Sequence, residues 1–273
     1  MATLKRPDGV EIHWEASGEG PLLVVAPNWA SHPSVYAPLI AELDRDHRVV
    51  RYDARGTGES TRQGPYDIET SADDLAALLD AANEPAVLFG LVDAHNACLH
   101  ATAARPELVR GVIGAQMVMP MGVRMMGEID TPISSEAVLE AGLEFLENDY
   151  RSFLRAALPA GNRQMSEKEI RERVSEQVAY CDQESALGRM RSFASDEPLE
   201  QARALGDRLW ILYLLEGMEP LFPPAEKVMP LTRELLPEAH VEVLEEGIVS
   251  RPDLTATRIR EIVGERAPHD SSL

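Results

Sequence analysis

Cysteine is scarce: Cys98 and Cys181 are the only two in 273 residues, and they form no C-x-x-C pair. Neither a disulfide framework nor a thiol-rich zinc site is therefore expected, and both thiols read as small buried hydrophobes. The seven histidines include no H-E-x-x-H pair, so a metal centre has no support, and no motif calls for a cofactor. Basic residues are also few. Against 46 Asp and Glu stand 26 Lys and Arg, a formal charge of −20, and no run of five or six basic residues offsets it. Such a surface repels phosphate backbones and anionic lipid, which excludes nucleic acid and membrane as expected partners. Long apolar runs are missing too: no stretch reaches the roughly 18 residues of a transmembrane helix. The opening "MATLKRPDGVEIHW" carries charges where a signal peptide needs an apolar run, so a cytoplasmic protein is expected.

What is present is hydrophobic content of 44%, enough for one large α/β domain with an insertion. Short runs apolar on both faces, "PLLVVAP" (21–27), "RVVRYD" (48–53), "AVLFG" (86–90) and "GVIGA" (111–115), alternate with helix-like segments such as "SVYAPLIAELDRD" and "SADDLAALLDAAN". That alternation predicts buried parallel strands in a doubly wound sheet with right-handed crossovers. The stretch "GVEIHWEASGEG" alternates like an antiparallel strand and is expected at the sheet edge. From 118 to 203 only helical spacing occurs; strands resume with "RLWILYLL" and "HVEVLEEG". The expected organisation is a core of 1–117 and 204–273 interrupted by a helical unit, 118–203.

"VVRYDARGTGES" (49–60) resembles the D-x-R-G-x-G-x-S signature of the α/β-hydrolase family, especially its enol-lactonase-like branch. "SVYAPLIAEL" is similar to the helix after the family's oxyanion loop, and "ATAARPELVRGVI" to the helix and strand after its nucleophile elbow. The resemblance implies the α/β-hydrolase fold, with 118–203 as a helical cap. Counted back from Pro106, the G-x-S-x-G elbow falls on Gly90 to Ala94, with Val92 in the nucleophile position. Counted back from Tyr36, the family's His-Gly pair falls on Pro27 and Asn28, with Trp29 next. Its acid corresponds to Glu219, and its Gly-His pair to Gly247 and Ile248.

Serine-type hydrolysis needs a hydroxyl and an imidazole, which Val92 and Ile248 do not supply. The resemblance still implies an oxyanion hole from the backbone N–H groups of Trp29 and Asp93. Asp93 has two open readings: a pocket carboxylate of raised pKa that handles protons, or a helix N-terminal carboxylate kept ionised by the dipole. A one-residue slip would make Asp93 itself a nucleophile, as in dehalogenase-like relatives. His32 and His95 are candidate proton carriers, His32 also readable as a surface histidine and His95 as a satisfied buried one. Asn28, Val92, Met117, Met119, Met121, Glu219 and Ile248 are expected against the substrate, the methionines as an adaptable apolar wall. The expected function is a cofactor-free, non-hydrolytic enzyme. It would form C–C or C–O bonds, cyclise or eliminate on a bulky aromatic or polyketide-like small molecule of secondary metabolism. The alternatives are a binding protein that kept the pocket, an inactive partner of an active enzyme, or an Asp93-dependent hydrolase; a homodimer is compatible with each.

Overall fold

The computed structural model describes residues 2–29, 31–115, 136–161, 165–214, 225–244, 247–248 and 251–265. Eight strands form one sheet in the order β1-β2-β4-β3-β5-β6-β7-β8. Strands β3 (Leu22–Ala26) and β5 (Ala86–Leu91) are buried at every position, because helices cover both faces. They pair in parallel with β4 (Arg48–Tyr52) and β6 (Val109–Ala115), and β7 (Leu209–Leu214) and β8 (His240–Leu244) continue the parallel series. The crossovers are α1 (Ala37–Leu43), α2 (Ile68–Ala82), α3 (Asp93–Ala104) and α9 (Ala225–Leu235), with α10 (Pro252–Glu265) closing the chain. Helix α2 starts where the Asp67 carboxylate accepts the Thr70 N–H, and it stops where Asn83 turns left-handed. This is the α/β-hydrolase fold.

The N-terminal strand differs from expectation in position. Strand β2 (Glu11–Ser17) runs antiparallel to β4, but it is not the edge, because β1 (Ala2–Lys5) folds back on it as a hairpin. The turn between them uses Gly9 at φ +88. A four-residue strand of mostly exposed side chains has too little periodicity to be read from sequence.

Between β6 and β7 the described residues form five helices: α4 (Glu136–Asn148), α5 (Tyr150–Gly161), α6 (Glu167–Tyr180), α7 (Gln183–Ser195) and α8 (Leu199–Leu205). Ser166 and Glu169 form a reciprocal capping box at the start of α6, and Asp182 caps α7. These helices bury a second apolar cluster that includes Leu146, Leu154, Ile170 and Val174. Trp29, on the loop after β3, packs against this cluster and the main core alike.

The loop after β4 is fixed by charge. The buried Arg55 guanidinium donates to both oxygens of Asp74 on α2 at 2.8 Å, and to Asp8 at 2.9 Å. Arg6 reaches the same Asp74 at 2.9 Å. In that loop a Cβ on Gly58, at φ +50, would stand 2.2 Å from the Asp53 carboxylate. Removing the guanidinium from this buried network leaves Asp74 undercompensated. Arg55→Met should therefore cost about 3–5 kcal/mol, read as a lowered urea midpoint at unchanged m-value.

Candidate functional site

At the end of β5 the chain turns sharply into α3. Val92 takes φ 53 and ψ −120 there, a conformation that a β-branched residue adopts only under constraint. Val92 is buried and donates its N–H to Ala115 on β6. The elbow geometry thus lies where counting from Pro106 put it, with an aliphatic side chain at its tip.

Asp93, the next residue, is fully buried. One carboxylate oxygen accepts the Trp29 backbone N–H at 2.7 Å, and the other lies 2.6 Å from the Arg189 guanidinium. That second contact is an ion pair without hydrogen-bond alignment, since the same oxygen has no well-directed donor. The same Arg189 nitrogen donates to the Pro27 carbonyl at 2.8 Å, so one guanidinium group on α7 ties the loop after β3 to the start of α3. Burial pushes the Asp93 carboxyl above its ordinary range, and the pull of Arg189 and of the Trp29 N–H does not fully offset it. For Arg189 burial acts against the charge, while the field of Asp93, with those of Tyr52 and Cys181, more than compensates. The Nε and Nη1 atoms of Arg189 find no hydrogen-bond acceptor.

Asp93 sits at the helix N-terminus, as one sequence reading had it, yet its pKa moves in the direction of the other. The Trp29 N–H is not a free donor: the protein's own carboxylate holds it. Asn28 is buried, and its side-chain carbonyl accepts the Tyr36 hydroxyl, which fixes the loop. His32 is committed to the same loop. Its Nδ1 accepts the Ser34 N–H, its backbone N–H donates to Gln177, and its ring meets Tyr180 edge-on. His95, in the first turn of α3, packs its ring against Gly114, where an added Cβ would come within 2.6 Å of it. Neither imidazole nitrogen has a partner, and burial lowers its pKa to about 3. Ile248 is buried in the main core after β8. Met117, Met119, Met121 and Glu219 lie outside the described residues.

Arg189 is the residue that sequence reasoning missed. A signal existed: Ala186 and Phe193 at i−3 and i+4 are buried, so Arg189 falls on the apolar stripe of its helix. An arginine in such a place needs a buried anion. A row of rings leads outward from the same spot, with Trp29 at 5.8 Å from Phe153, and Phe153 at 5.7 Å from the exposed Phe145.

Comparison with known proteins agrees with this geometry at the level of the fold. The esterase EaEST from Exiguobacterium antarcticum superposes with a TM-score of 0.80 at 18% identity, covering 96% of this chain and 98% of that one. The enol-lactonase from Burkholderia xenovorans LB400 gives 0.74 at 20% identity, covering 94% and 98%. A bromoperoxidase from Bacillus anthracis gives 0.75 at 20%, covering 97% and 98%. In sequence, the chain is 31% identical over 150 residues to a pimeloyl-[acyl-carrier protein] methyl ester esterase from Xanthomonas axonopodis, 52% of this chain and 54% of that protein. It is 32% identical over 110 residues to the putative carbamate hydrolase RutD from Azorhizobium caulinodans, 40% of this chain and 36% of that protein. The chain thus spans about half, or less, of the curated relatives it matches. No family model matches the chain. The solved structures show the α/β-hydrolase fold, and part of the chain is similar in sequence to an esterase and a putative carbamate hydrolase.

These relatives overturn one expectation. A non-hydrolytic enzyme that forms C–C or C–O bonds was inferred from the absence of serine at 92 and histidine at 248, and with it a degenerate triad. The proteins similar to this chain are named as esterases, a carbamate hydrolase and an enol-lactonase, which points to hydrolysis. The missing side chains argue against a serine mechanism, and they carry no information in favour of bond formation.

The neutral burial of His95 has a measurable consequence. Its folded pKa of about 3 lies below the ordinary value, so its contribution to stability is complete above about pH 6.5 and is lost as pH falls toward 3. Between pH 7.5 and pH 5 the loss is about 2 kcal/mol. His95→Leu should remove that part of the acid sensitivity, checked by urea unfolding of both proteins at the two pH values.

Proposed function

We propose that this chain is a hydrolytic enzyme that cleaves an ester-type acyl bond of a small molecule by direct attack of water, with Asp93 as general base. The observation that carries this reading is the buried Asp93 carboxylate, which accepts the Trp29 N–H and is ion-paired with the Arg189 guanidinium. A directed N–H and a fixed positive charge are what a developing oxyanion needs. In the resting site they neutralise the carboxylate. When Asp93 takes a proton from the attacking water, its charge disappears as charge appears on the substrate carbonyl oxygen, and the Trp29 N–H and the Arg189 charge become free to follow it. Collapse of the tetrahedral intermediate breaks the bond to the leaving oxygen, which recovers the proton from Asp93. The products are an acid and an alcohol, and no acyl-enzyme forms.

Burial raises the Asp93 carboxyl, the direction that makes its carboxylate a stronger base. The strained turn at Val92 supports the same reading, since such a conformation costs about 1–3 kcal/mol and survives where the surroundings hold it in place. Helices α4 to α7 act as the cap in this scheme, belonging to a 118–203 unit set on a core of 1–117 and 204–273. Trp29, Phe153 and Phe145 receive the apolar part of the substrate. The substrate class follows the printed names of the relatives, an acyl ester, lactone or carbamate.

The test is turnover of p-nitrophenyl acetate and p-nitrophenyl benzoate by the purified chain. Asp93→Asn should lower kcat by about 10²–10⁴-fold, with folding verified by near-UV circular dichroism, and a fluorophosphonate probe should leave the protein unlabelled. Hydrolysis no faster than buffer, or an Asn variant as active as the parent, would overturn the proposal.

A further inference from the structure

We infer that a groove beside α1, distinct from the elbow, is a ligand site for a small organic cation carrying an aromatic ring. Helix α1 has only seven residues, too few to cover the outer strands as well as β3. On β2 the alternate residues His13 and Glu15 are half-buried, as is Arg51 on β4, where a covered sheet face would be apolar. A cavity of about 310 Å³ results, lined by these residues and by the loop after β3. That volume is at the lower end of ligand pockets, which run to roughly 300–1,000 Å³.

The chemistry of the walls selects the occupant. Tyr36, Ile40, Pro33 and Tyr180 supply aromatic and apolar surface. The charged groups are three carboxylates, Glu15, Asp53 and Glu59, against one guanidinium, Arg51. Arg51 is already paired with Glu15 at 2.5 Å. Asp53 accepts the Tyr180 hydroxyl at 2.8 Å and the Glu59 N–H at 3.0 Å, and its nearest ionisable partner is His13 at 3.5 Å. Among the described residues no lysine or arginine pairs with Asp53 or Glu59. A cation entering the groove meets two carboxylates without a fixed positive partner, beside the rings of Tyr36 and Tyr180. An anion meets the same field with the opposite sign.

The groove shares a wall with the elbow without belonging to it. Pro27, Ser31, Pro33 and Tyr36 line it and flank Trp29 in sequence, whereas Asp93 and Arg189 do not take part.

The experiment is calorimetric titration of the full chain with tyramine at pH 7.5, beside the neutral 4-ethylphenol and the anionic 4-hydroxyphenylacetate. Saturable one-to-one binding of tyramine, at least tenfold tighter than either comparator, is expected. Glu59→Lys, a charge reversal on the exposed rim, should abolish it, and Glu15→Gln with Glu59→Gln should weaken it tenfold or more. No saturation below 10 mM, equal binding of 4-ethylphenol, or unchanged affinity in Glu59→Lys would each overturn the assignment. None of these readouts depends on ester hydrolysis, so the groove and the elbow stand or fall separately.

Discussion

A carboxylate buried completely has to be neutralised, and the way Asp93 is neutralised organises the centre of this molecule. Its two oxygens take one backbone donor from the loop after β3 and one side-chain charge from α7. The guanidinium then reaches back to the carbonyl of Pro27. Sheet, loop and inserted helices meet at this point. None can shift far alone, because each movement would leave a charge or an N–H group buried without its partner. Hydrophobic packing around Trp29 reinforces the junction, but it is non-directional, and the ion pair supplies the registration.

In the proposed reaction the same constraint stands where a serine mechanism would have an empty oxyanion hole. In a serine mechanism the donors wait unoccupied for an oxyanion. Here the Trp29 N–H and the Arg189 charge are both turned to an internal anion, the Asp93 carboxylate. What changes in the proposed reaction is the location of that charge. The strain at Val92 keeps α3 starting where its first carboxylate faces the loop.

Much of the architecture was legible in the sequence. The apolar runs at 21–27, 48–53, 86–90 and 111–115 coincide with β3, β4, β5 and β6, because strands covered on both faces carry a continuous signal. The elbow could be located by counting, since a turn between a buried strand and a helix admits little variation in length. Strand β1 was not legible, being short and exposed. Arg189 was not found either: the residue it pairs with is almost a hundred positions away, and only the tertiary fold brings α7 over α3. The mistaken expectation of bond-forming chemistry has a different origin. It was drawn from absent side chains at Val92 and Ile248, and an absence removes one mechanism without supplying another.

The network around Asp74 also bears on how the molecule behaves among its own copies. Arg6 and Asp8 lie in the turn of the β1–β2 hairpin, so the charges that fix the loop after β4 also clamp the outermost strand. That strand is four residues long and ends in the exposed Lys5. A short, charged, tethered border presents few unpaired backbone groups to another sheet. On that side the sheet ends in a strand poorly suited to edge-to-edge aggregation, and the protection comes from a salt network whose nearest function is to hold a loop.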